Sequence, residues 1–290
     1  MSTPSLSRDG RLRIDKSLTI WDAVTGAVIR QLTNDGRKLT ASAVAMSADG
    51  SYAISCGTDK ATVLWNVASA TVIKWFSEEL FKADEVALSA DGRTAAFITP
   101  DNELASLELY TGDAYRLKWA SDGRLQSLAL STDGRRVVAG LDCRTPVPTP
   151  GAGWRHPADS PLLVWDFATR APSRQLDGHG GGITAISLSP DGRRAVTCAL
   201  DCTVIYWDLD TGKIIRRLTG HKGWLHGVAL SPDERHAISG GAERNIVLWD
   251  LKSGLPVGQL YLDGPINGLD WAGNWIRVSS NVMEVLELQS

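Results

Sequence analysis

Two segments of the chain each carry a histidine, a hydroxyl residue, a carboxylate and a tryptophan at nearly the same spacing. The two sets are His179, Thr197, Asp201 and Trp207, followed by His221, Ser239, Glu243 and Trp249. A hydroxyl paired with a histidine that is itself paired with a carboxylate is the arrangement of a nucleophilic hydrolase. The same groups could instead serve a buried tryptophan. An indole N–H needs an acceptor, and a hydroxyl can accept that bond while it donates to an imidazole.

The segments lack the other parts of a hydrolase site. Neither set is accompanied by the Gly-x-Ser-x-Gly nucleophile elbow or by an obvious oxyanion hole. We therefore predict that both sets are structural, that the chain has no catalytic residues and that it is not an enzyme.

A metal or cofactor site is not indicated either. Cys198 and Cys202 form a C-x-x-x-C pair, but a zinc site needs two further ligands at metal spacing, and none is nearby. We expect no metal and no cofactor.

The elements that must position these groups are short strands. Between Gly178 and Leu218, four β-rich runs alternate with the turns Ser189–Gly192 and Asp210–Gly212. Short runs separated by Asp-Gly and Thr-Gly turns predict an antiparallel sheet of four strands.

This unit repeats along the chain, and Trp207 is followed by Trp249 after 42 residues. The turn serine recurs at Ser7, Ser47, Ser89, Ser131, Ser189 and Ser231. The Trp-Asp position recurs at Trp21-Asp22, Trp65-Asn66, Leu107-Glu108, Trp165-Asp166, Trp207-Asp208, Trp249-Asp250 and Leu286-Glu287. A fixed period of this length indicates a repeat architecture of seven units.

A four-strand unit with Gly-His near its start and Trp-Asp near its end resembles the WD40 repeat. The resemblance covers nearly the whole chain and implies an all-β, seven-bladed WD40 β-propeller with four antiparallel strands per blade. It also implies that the two histidine sets are the family's structural tetrads. The propeller would be a single domain over residues 1–290. The expected blades span residues 1–32, 33–76, 77–119, 120–176, 177–218, 219–260 and 261–290.

Three stretches depart from the regular pattern. The first and last blades are expected to be incomplete, because little sequence is left for their innermost and outermost strands. The fourth unit carries an insertion, roughly Cys143 to Pro157, between its second and third strands. Its four prolines and several glycines are expected to prevent regular structure.

Composition and charge exclude several classes of partner. The net charge is −3, so electrostatics does not favour nucleic acid or an anionic membrane as a partner. The chain has no apolar run of 18 residues, and residues 1–10 lack a signal-peptide core. We expect a cytoplasmic protein.

The loops that enter the first strand of each blade should share one face with the loops between the second and third strands, and we call this the top face. Counting from the histidine position predicts a partner-binding set on this face, joined by two residues of the insertion. The set is Lys82, Asp84, Arg124, Trp154, Arg155, Trp224 and His226. Trp224 could anchor an interface or pack on a neighbouring blade. The resulting hypothesis is a non-catalytic scaffold, or a sensor module within a larger assembly, that binds a protein or peptide partner. The alternative is a small-ligand-binding or enzymatic propeller that uses its central channel.

Overall fold

In the computed structural model, every regular element among the described residues is a β-strand. The described residues are 5–7, 11–34, 37–57, 62–76, 83–117, 123–142, 147–149, 153–155, 160–167, 169, 171–273, 275–280 and 283–287. They form two compact units. The first comprises residues 1–119, 130–135 and 272–275, and the second comprises residues 120–129, 136–271 and 276–290.

The first unit contains three four-stranded antiparallel sheets and a small two-stranded ladder. The first sheet consists of β1 (Ser5–Leu6), β2 (Leu12–Ile14), β3 (Thr19–Asp22) and β4 (Val28–Gln31). The ladder pairs β5 (Thr33–Asn34) with β6 (Arg37–Lys38). The second sheet consists of β7 (Ala41–Met46), β8 (Tyr52–Gly57), β9 (Thr62–Asn66) and β10 (Thr71–Phe76). The third consists of β11 (Glu85–Leu88), β12 (Thr94–Ile98), β13 (Leu104–Glu108) and β14 (Ala114–Leu117).

Four further sheets lie mainly in the second unit. The fourth sheet consists of β15 (Arg124–Leu130), β16 (Arg136–Asp142), β19 (Ser160–Asp166) and β20 (Ala171–His179), with the pair β17 (Val147–Thr149) and β18 (Gly153–Arg155) between β16 and β19. The fifth consists of β21 (Ile183–Leu188), β22 (Arg194–Ala199), β23 (Val204–Asp208) and β24 (Lys213–Leu218). The sixth consists of β25 (Leu225–Leu230), β26 (His236–Gly241), β27 (Asn245–Asp250) and β28 (Pro256–Tyr261). The seventh consists of β29 (Gly268–Ala272), β30 (Trp275–Ser279) and β31 (Met283–Glu287).

The Trp-Asp position ends the third strand of every sheet, as the repeat predicted. Strands β3, β9, β13, β19, β23, β27 and β31 end at Asp22, Asn66, Glu108, Asp166, Asp208, Asp250 and Glu287. In the first, second, fifth and sixth sheets, the side chain of this acidic or amide residue caps the turn to the fourth strand. In the fifth sheet the Asp208 carboxylate accepts the Thr211 N–H at 2.9 Å, and in the sixth the Asp250 carboxylate accepts the Ser253 N–H at 2.6 Å.

The serine turns between the first two strands share one hydrogen-bond pattern. In the fifth sheet Ser189 Oγ donates to Asp191 at 2.6 Å and accepts the Arg194 N–H at 2.8 Å. The Ser47 and Ser231 hydroxyls repeat both bonds in the second and sixth sheets. The turn therefore fixes the start of the second strand, which carries the hydroxyl residue of the histidine set.

The core lies between successive sheets. Trp65, Trp165, Trp207 and Trp249 are fully buried. Trp207 packs with Val164, Leu176 and Ile183, which belong to the preceding sheet and to the inner strand of its own. Trp207 thus joins two neighbouring sheets of the second unit, and burial of such large side chains is a major source of stability.

Two expectations about irregular stretches need correction. The first sheet has four strands and is not incomplete, although its innermost strand β1 has only two residues. The insertion after Asp142 is not wholly irregular, because β17 and β18 pair with Pro148 opposite Trp154. A two-stranded ribbon with its own edge tolerates a proline where a central strand would not.

The boundaries of the later sheets differ slightly from the expected blades. The seventh sheet has three strands among the described residues, in line with the expectation of an incomplete last blade. Strands β20 and β28 continue to His179 and Tyr261, a few residues past the expected ends of the fourth and sixth blades.

Candidate functional site

The first histidine set forms one continuous hydrogen-bond chain in the fifth sheet. Trp207 Nε1 donates to Thr197 Oγ1 at 2.8 Å, and Thr197 Oγ1 lies 2.7 Å from His179 Nε2. His179 Nδ1 lies 3.0 Å from Asp201 Oδ2. With the imidazole proton on Nδ1, each donor in the chain meets an acceptor. The chain ties β22 and β23 to the end of β20, which leads into the inner strand.

The Asp201 carboxylate anchors this chain from the loop between β22 and β23. It accepts the Gly180 N–H at 2.8 Å and the Thr203 N–H at 2.9 Å in addition to the bond from His179. Partial burial raises the pKa of Asp201, but the hydrogen bonds from His179 and Thr203 and the attraction to His179 outweigh it and lower the pKa to about 2. Asp201 is therefore ionised at neutral pH.

The sixth sheet repeats the chain with Ser239 and Glu243. Trp249 Nε1 donates to Ser239 Oγ at 2.7 Å, Ser239 Oγ lies 2.7 Å from His221 Nε2, and His221 Nδ1 pairs with Glu243. The Lys222 N–H also donates to Glu243, at 3.0 Å. Burial raises the pKa of Glu243, but the His221 and backbone hydrogen bonds outweigh it, and the net shift is downward.

Burial argues against a nucleophilic role for either hydroxyl. Thr197 and Ser239 are inaccessible to solvent, and each oxygen already bonds a tryptophan and a histidine. A substrate carbonyl would have to displace the tryptophan to approach either oxygen. The arrangement satisfies a buried indole and positions two loops, and nothing in its geometry presents a nucleophile to a substrate.

The set is partial in the second sheet. Trp65 Nε1 donates to Ser55 Oγ at 2.8 Å, which reproduces the inner bond of the chain. Asp59, the expected acid, lies outside the described residues. In the third sheet Phe97 and Leu107 are buried at the equivalent positions and contribute to an apolar cluster.

In the first sheet the tryptophan N–H has a different acceptor, which the sequence analysis did not predict. Trp21 Nε1 donates directly to Asp15 Oδ2 at 2.8 Å, while Asp15 Oδ1 accepts the N–H groups of Ser17 and Thr19. The sequence feature that could have indicated this bond is an aspartate six residues before the tryptophan, in a unit that is too short to hold the usual hydroxyl residue.

Four of the predicted partner-binding residues lie at or beside the start of an inner strand, namely Asp84, Arg124, Trp224 and His226. Trp224 immediately precedes β25, and Arg124 is the first residue of β15. Within the sixth sheet, the Ala242 N–H donates to Trp224 O at 2.9 Å, and in the fifth the Leu200 N–H donates to Gly182 O at 3.0 Å. In the fifth and sixth sheets, these bonds hold the loop before the inner strand against the loop that follows the second strand, the two kinds of loop that are expected to share the top face.

These residues differ in exposure. Trp224 is 58% exposed, Arg124 and Asp84 are exposed, and His226 is half-buried. Lys82 lies outside the described residues. The backbone of Trp154 and Arg155 forms part of β18, but their side chains also lie outside the described part of the chain. Asp84 belongs to the first compact unit, and Arg124, Trp224 and His226 belong to the second.

Two hydroxyl residues near the start of the inner strands bond the next sheet. Ser42 Oγ donates to Ala83 O at 2.9 Å, and Thr184 Oγ1 donates to Leu225 O at 2.7 Å. Each bond joins one inner strand to the start of the next, 41 residues along the chain. Ser127 makes a similar bond to Ile183 O at 3.0 Å. Because these hydroxyls are committed to carbonyls of the neighbouring sheet, they hold adjacent sheets in register at the top face.

The cysteines have no metal partners in the described part of the chain. Burial raises the pKa of Cys198 to about 12 and that of Cys56 to about 12, so both remain neutral thiols. No group of three or more histidine, cysteine or acidic side chains among the described residues could hold a metal ion. Within the same residues, no helix has the length and apolar character needed to cross a membrane.

Comparison with known proteins gives the class of this chain. The family model described as WD domain, G-beta repeat matches residues 29–66, 170–208 and 212–250. These matches show that the chain carries WD40 repeats, and the four-stranded antiparallel sheets and the histidine–tryptophan chains agree with that class of repeat. The chain is also similar to the WD repeat-containing protein WDS homolog of Arabidopsis thaliana, with 22% identity over 217 residues. That match covers 63% of this chain and 41% of the relative, so the chain spans about two fifths of the relative's length.

Proposed function

We propose that this protein is a non-catalytic scaffold that binds a protein or peptide partner on the top face of its second compact unit. WD40 repeats generally mediate protein–protein interactions, which supports the class of function. The observation that carries the proposed site is Trp224. It is 58% exposed, whereas the tryptophans at the Trp-Asp positions of the second, fourth, fifth and sixth sheets are buried.

The surroundings of Trp224 suit a binding anchor. Its backbone carbonyl is fixed by Ala242 N–H, and the next residue, Leu225, is fully buried. A large side chain on a fixed backbone loses little conformational freedom when a partner covers it. Tryptophan and arginine are enriched among the residues that dominate binding energy, and Arg124 is exposed at the equivalent end of β15.

The remaining predicted residues extend this proposal. His226 lies in β25, two residues after Trp224, and Trp154 and Arg155 lie in the β17–β18 ribbon that interrupts the fourth sheet. Long insertions on a rigid scaffold are often functional. We propose that Lys82 and Asp84, which belong to the first unit, also contact the partner. We further propose a cytoplasmic location.

Partner capture from the native source tests the site. The wild-type chain and a Trp224→Ala variant would be immobilised at equal density, and bound proteins compared by quantitative mass spectrometry. Trp75→Ala is the matched control, because Trp75 is 44% exposed but lies in the outer strand β10, away from the inner strands.

The expected result is a partner retained by wild type and by Trp75→Ala and reduced about tenfold or more by Trp224→Ala, since loss of one anchor costs at least 1.4 kcal/mol. Equal retention of every captured protein by folded Trp224→Ala would contradict the proposed site.

A further inference from the structure

Among the described residues, the outer strand of each four-stranded sheet pairs with one neighbouring strand only, and these outer strands differ in charge. The outer strands β4, β10, β14, β20 and β24 all contain lysine or arginine, namely Arg30, Lys74, Arg116, Arg174, and Lys213 with Arg216 and Arg217. Among the outer strands in the described part of the chain, only β28, with the sequence Pro-Val-Gly-Gln-Leu-Tyr, carries no charged residue. Charges on edge strands oppose pairing with another chain, so β28 is the least protected edge.

The register shows which backbone groups β28 offers. The Leu262 N–H donates to Arg244 O at 2.8 Å, and Ile246 lies opposite Leu260 two residues further along. In an antiparallel ladder the hydrogen-bonded pairs alternate, so the backbone groups of Leu260 and Gly258 face β27. The N–H and C=O groups of Gln259 and Tyr261 therefore face away from the sheet, where no other strand pairs with them among the described residues.

The side chains along this edge are apolar and uncovered. Val257, Leu260 and Tyr261 are exposed, as is Leu255 in the preceding turn, and Tyr261 is 70% exposed. The neighbouring strand β24 gives the comparison. By register Leu218 corresponds to Leu260, but Leu218 is 1% exposed and Leu260 is 42% exposed.

The charged residues of β24 correspond to uncharged ones in β28. Arg216 pairs with Tyr206 and Arg217 with Ile205, while Gly258 pairs with Leu248 and Gln259 with Val247 at the equivalent places. The positions that carry two arginines in β24 thus carry glycine and glutamine in β28.

We propose that β28 pairs antiparallel with β28 of a second copy of this chain, about a twofold axis at Gln259. This pairing lets each Gln259 exchange N–H···O=C bonds with its counterpart. It also places Val257 opposite Tyr261 of the second copy, a β-branched and aromatic pair of the kind that stabilises neighbouring strands. The same pairing at β24 would set Arg217 against Arg217, and the charges would repel. The uncharged, self-complementary edge therefore favours a second copy as its occupant.

Sedimentation velocity of the full chain from about 1 to about 100 µM tests the pairing, a range that covers weak dimers. Gln259→Arg introduces the arginine that β24 carries at the equivalent place. Gln259→Pro removes the outward N–H and leaves the ladder to β27 intact, since proline is tolerated where the N–H faces solvent. Ile214→Arg is the matched control, because it charges an exposed apolar residue of β24 and leaves β28 unchanged.

The expected result is a dimer for wild type and for Ile214→Arg, with a dissociation constant raised about tenfold or more in both Gln259 variants. Circular dichroism would verify that the variants retain the wild-type spectrum. A wild-type chain that stays monomeric over the whole range would overturn the proposal. It would equally be overturned by a dimer that Gln259→Arg leaves unaltered, or by a monomer whose edge takes up only a strand of a different protein.

Discussion

The Thr197 hydroxyl is a donor and an acceptor at the same time, and this dual role decides how the histidine set should be interpreted. It accepts from Trp207 and bonds His179 while remaining buried. Thr197→Val keeps the shape of the side chain but leaves two buried nitrogen groups without a partner. We expect a loss of about 1–3 kcal/mol in the free energy of unfolding, measured by urea denaturation. Thr219→Val, at an exposed threonine, is the control and should change the free energy of unfolding little. Equal stability of the two variants would show that the hydrogen-bond chain through Thr197 does not stabilise the protein.

The Asp201 carboxylate makes the stability of the protein depend on pH. Its pKa falls from an ordinary 3.8 to about 2 in the folded state, so its stabilisation is present above pH 4 and is lost as the pH falls towards 2. Comparison of wild type with Asp201→Asn by denaturation should show a constant difference from pH 5 to 7 that shrinks below pH 4. A difference that stays constant down to pH 2 would exclude this linkage.

At this scale the sequence predicted the members of both complete sets, because their types and spacing repeat. It did not predict the bond from Trp21 to Asp15, since that unit lacks the hydroxyl and the histidine that mark the two complete sets. The commitment of Ser42 and Thr184 to carbonyls of the next sheet was also missed. A hydroxyl at a loop boundary looks the same in sequence whether it faces solvent or a neighbouring strand.

Among the elements, the turn between the first two strands of the fourth sheet is closely packed at its glycine. Gly134 has a φ of 70°, and a Cβ there would lie 2.9 Å from the Thr94 Cβ of the preceding sheet. Gly134→Ala should therefore cost about 1–3 kcal/mol through backbone strain and the close contact.

Gly26→Ala is the matched comparison, because Gly26 has a φ of 71° but no atom near the added Cβ. We expect it to cost about 1 kcal/mol by strain alone. Thermal and urea unfolding would measure both variants. If Gly26→Ala were as destabilising as Gly134→Ala, the packing of this turn on the neighbouring sheet would be unimportant.

Strand ends were predicted well because Trp-Asp and Ser-x-Asp-Gly mark them locally. The β17–β18 ribbon was not, since prolines that exclude a central strand do not exclude a two-stranded ribbon. The four strands of the first sheet were missed for a related reason, as β1 needs only two residues to pair with β2. Tertiary pairing thus determined structure where local propensity was weak.

For the whole molecule, the repeat predicted an all-β chain built of WD40 repeats, which the sheets of the described residues and the matched segments confirm. The expectation that one ring of seven blades forms a single domain stays a prediction. The partner-binding residues also stay a prediction, because register in a repeat shows which residues share a face and carries no information about what that face contacts.

The most direct test of the proposed scaffold role is hydrogen exchange of the chain with and without the partner that capture identifies. Peptides that include Trp224 and the residues before β25 should exchange more slowly in the complex, because the partner covers the loop. Peptides from the outer strand β10, which contains Trp75, should be unchanged. Slower exchange confined to β10 or to other outer strands, with the Trp224 segment unaffected, would contradict binding at the top face.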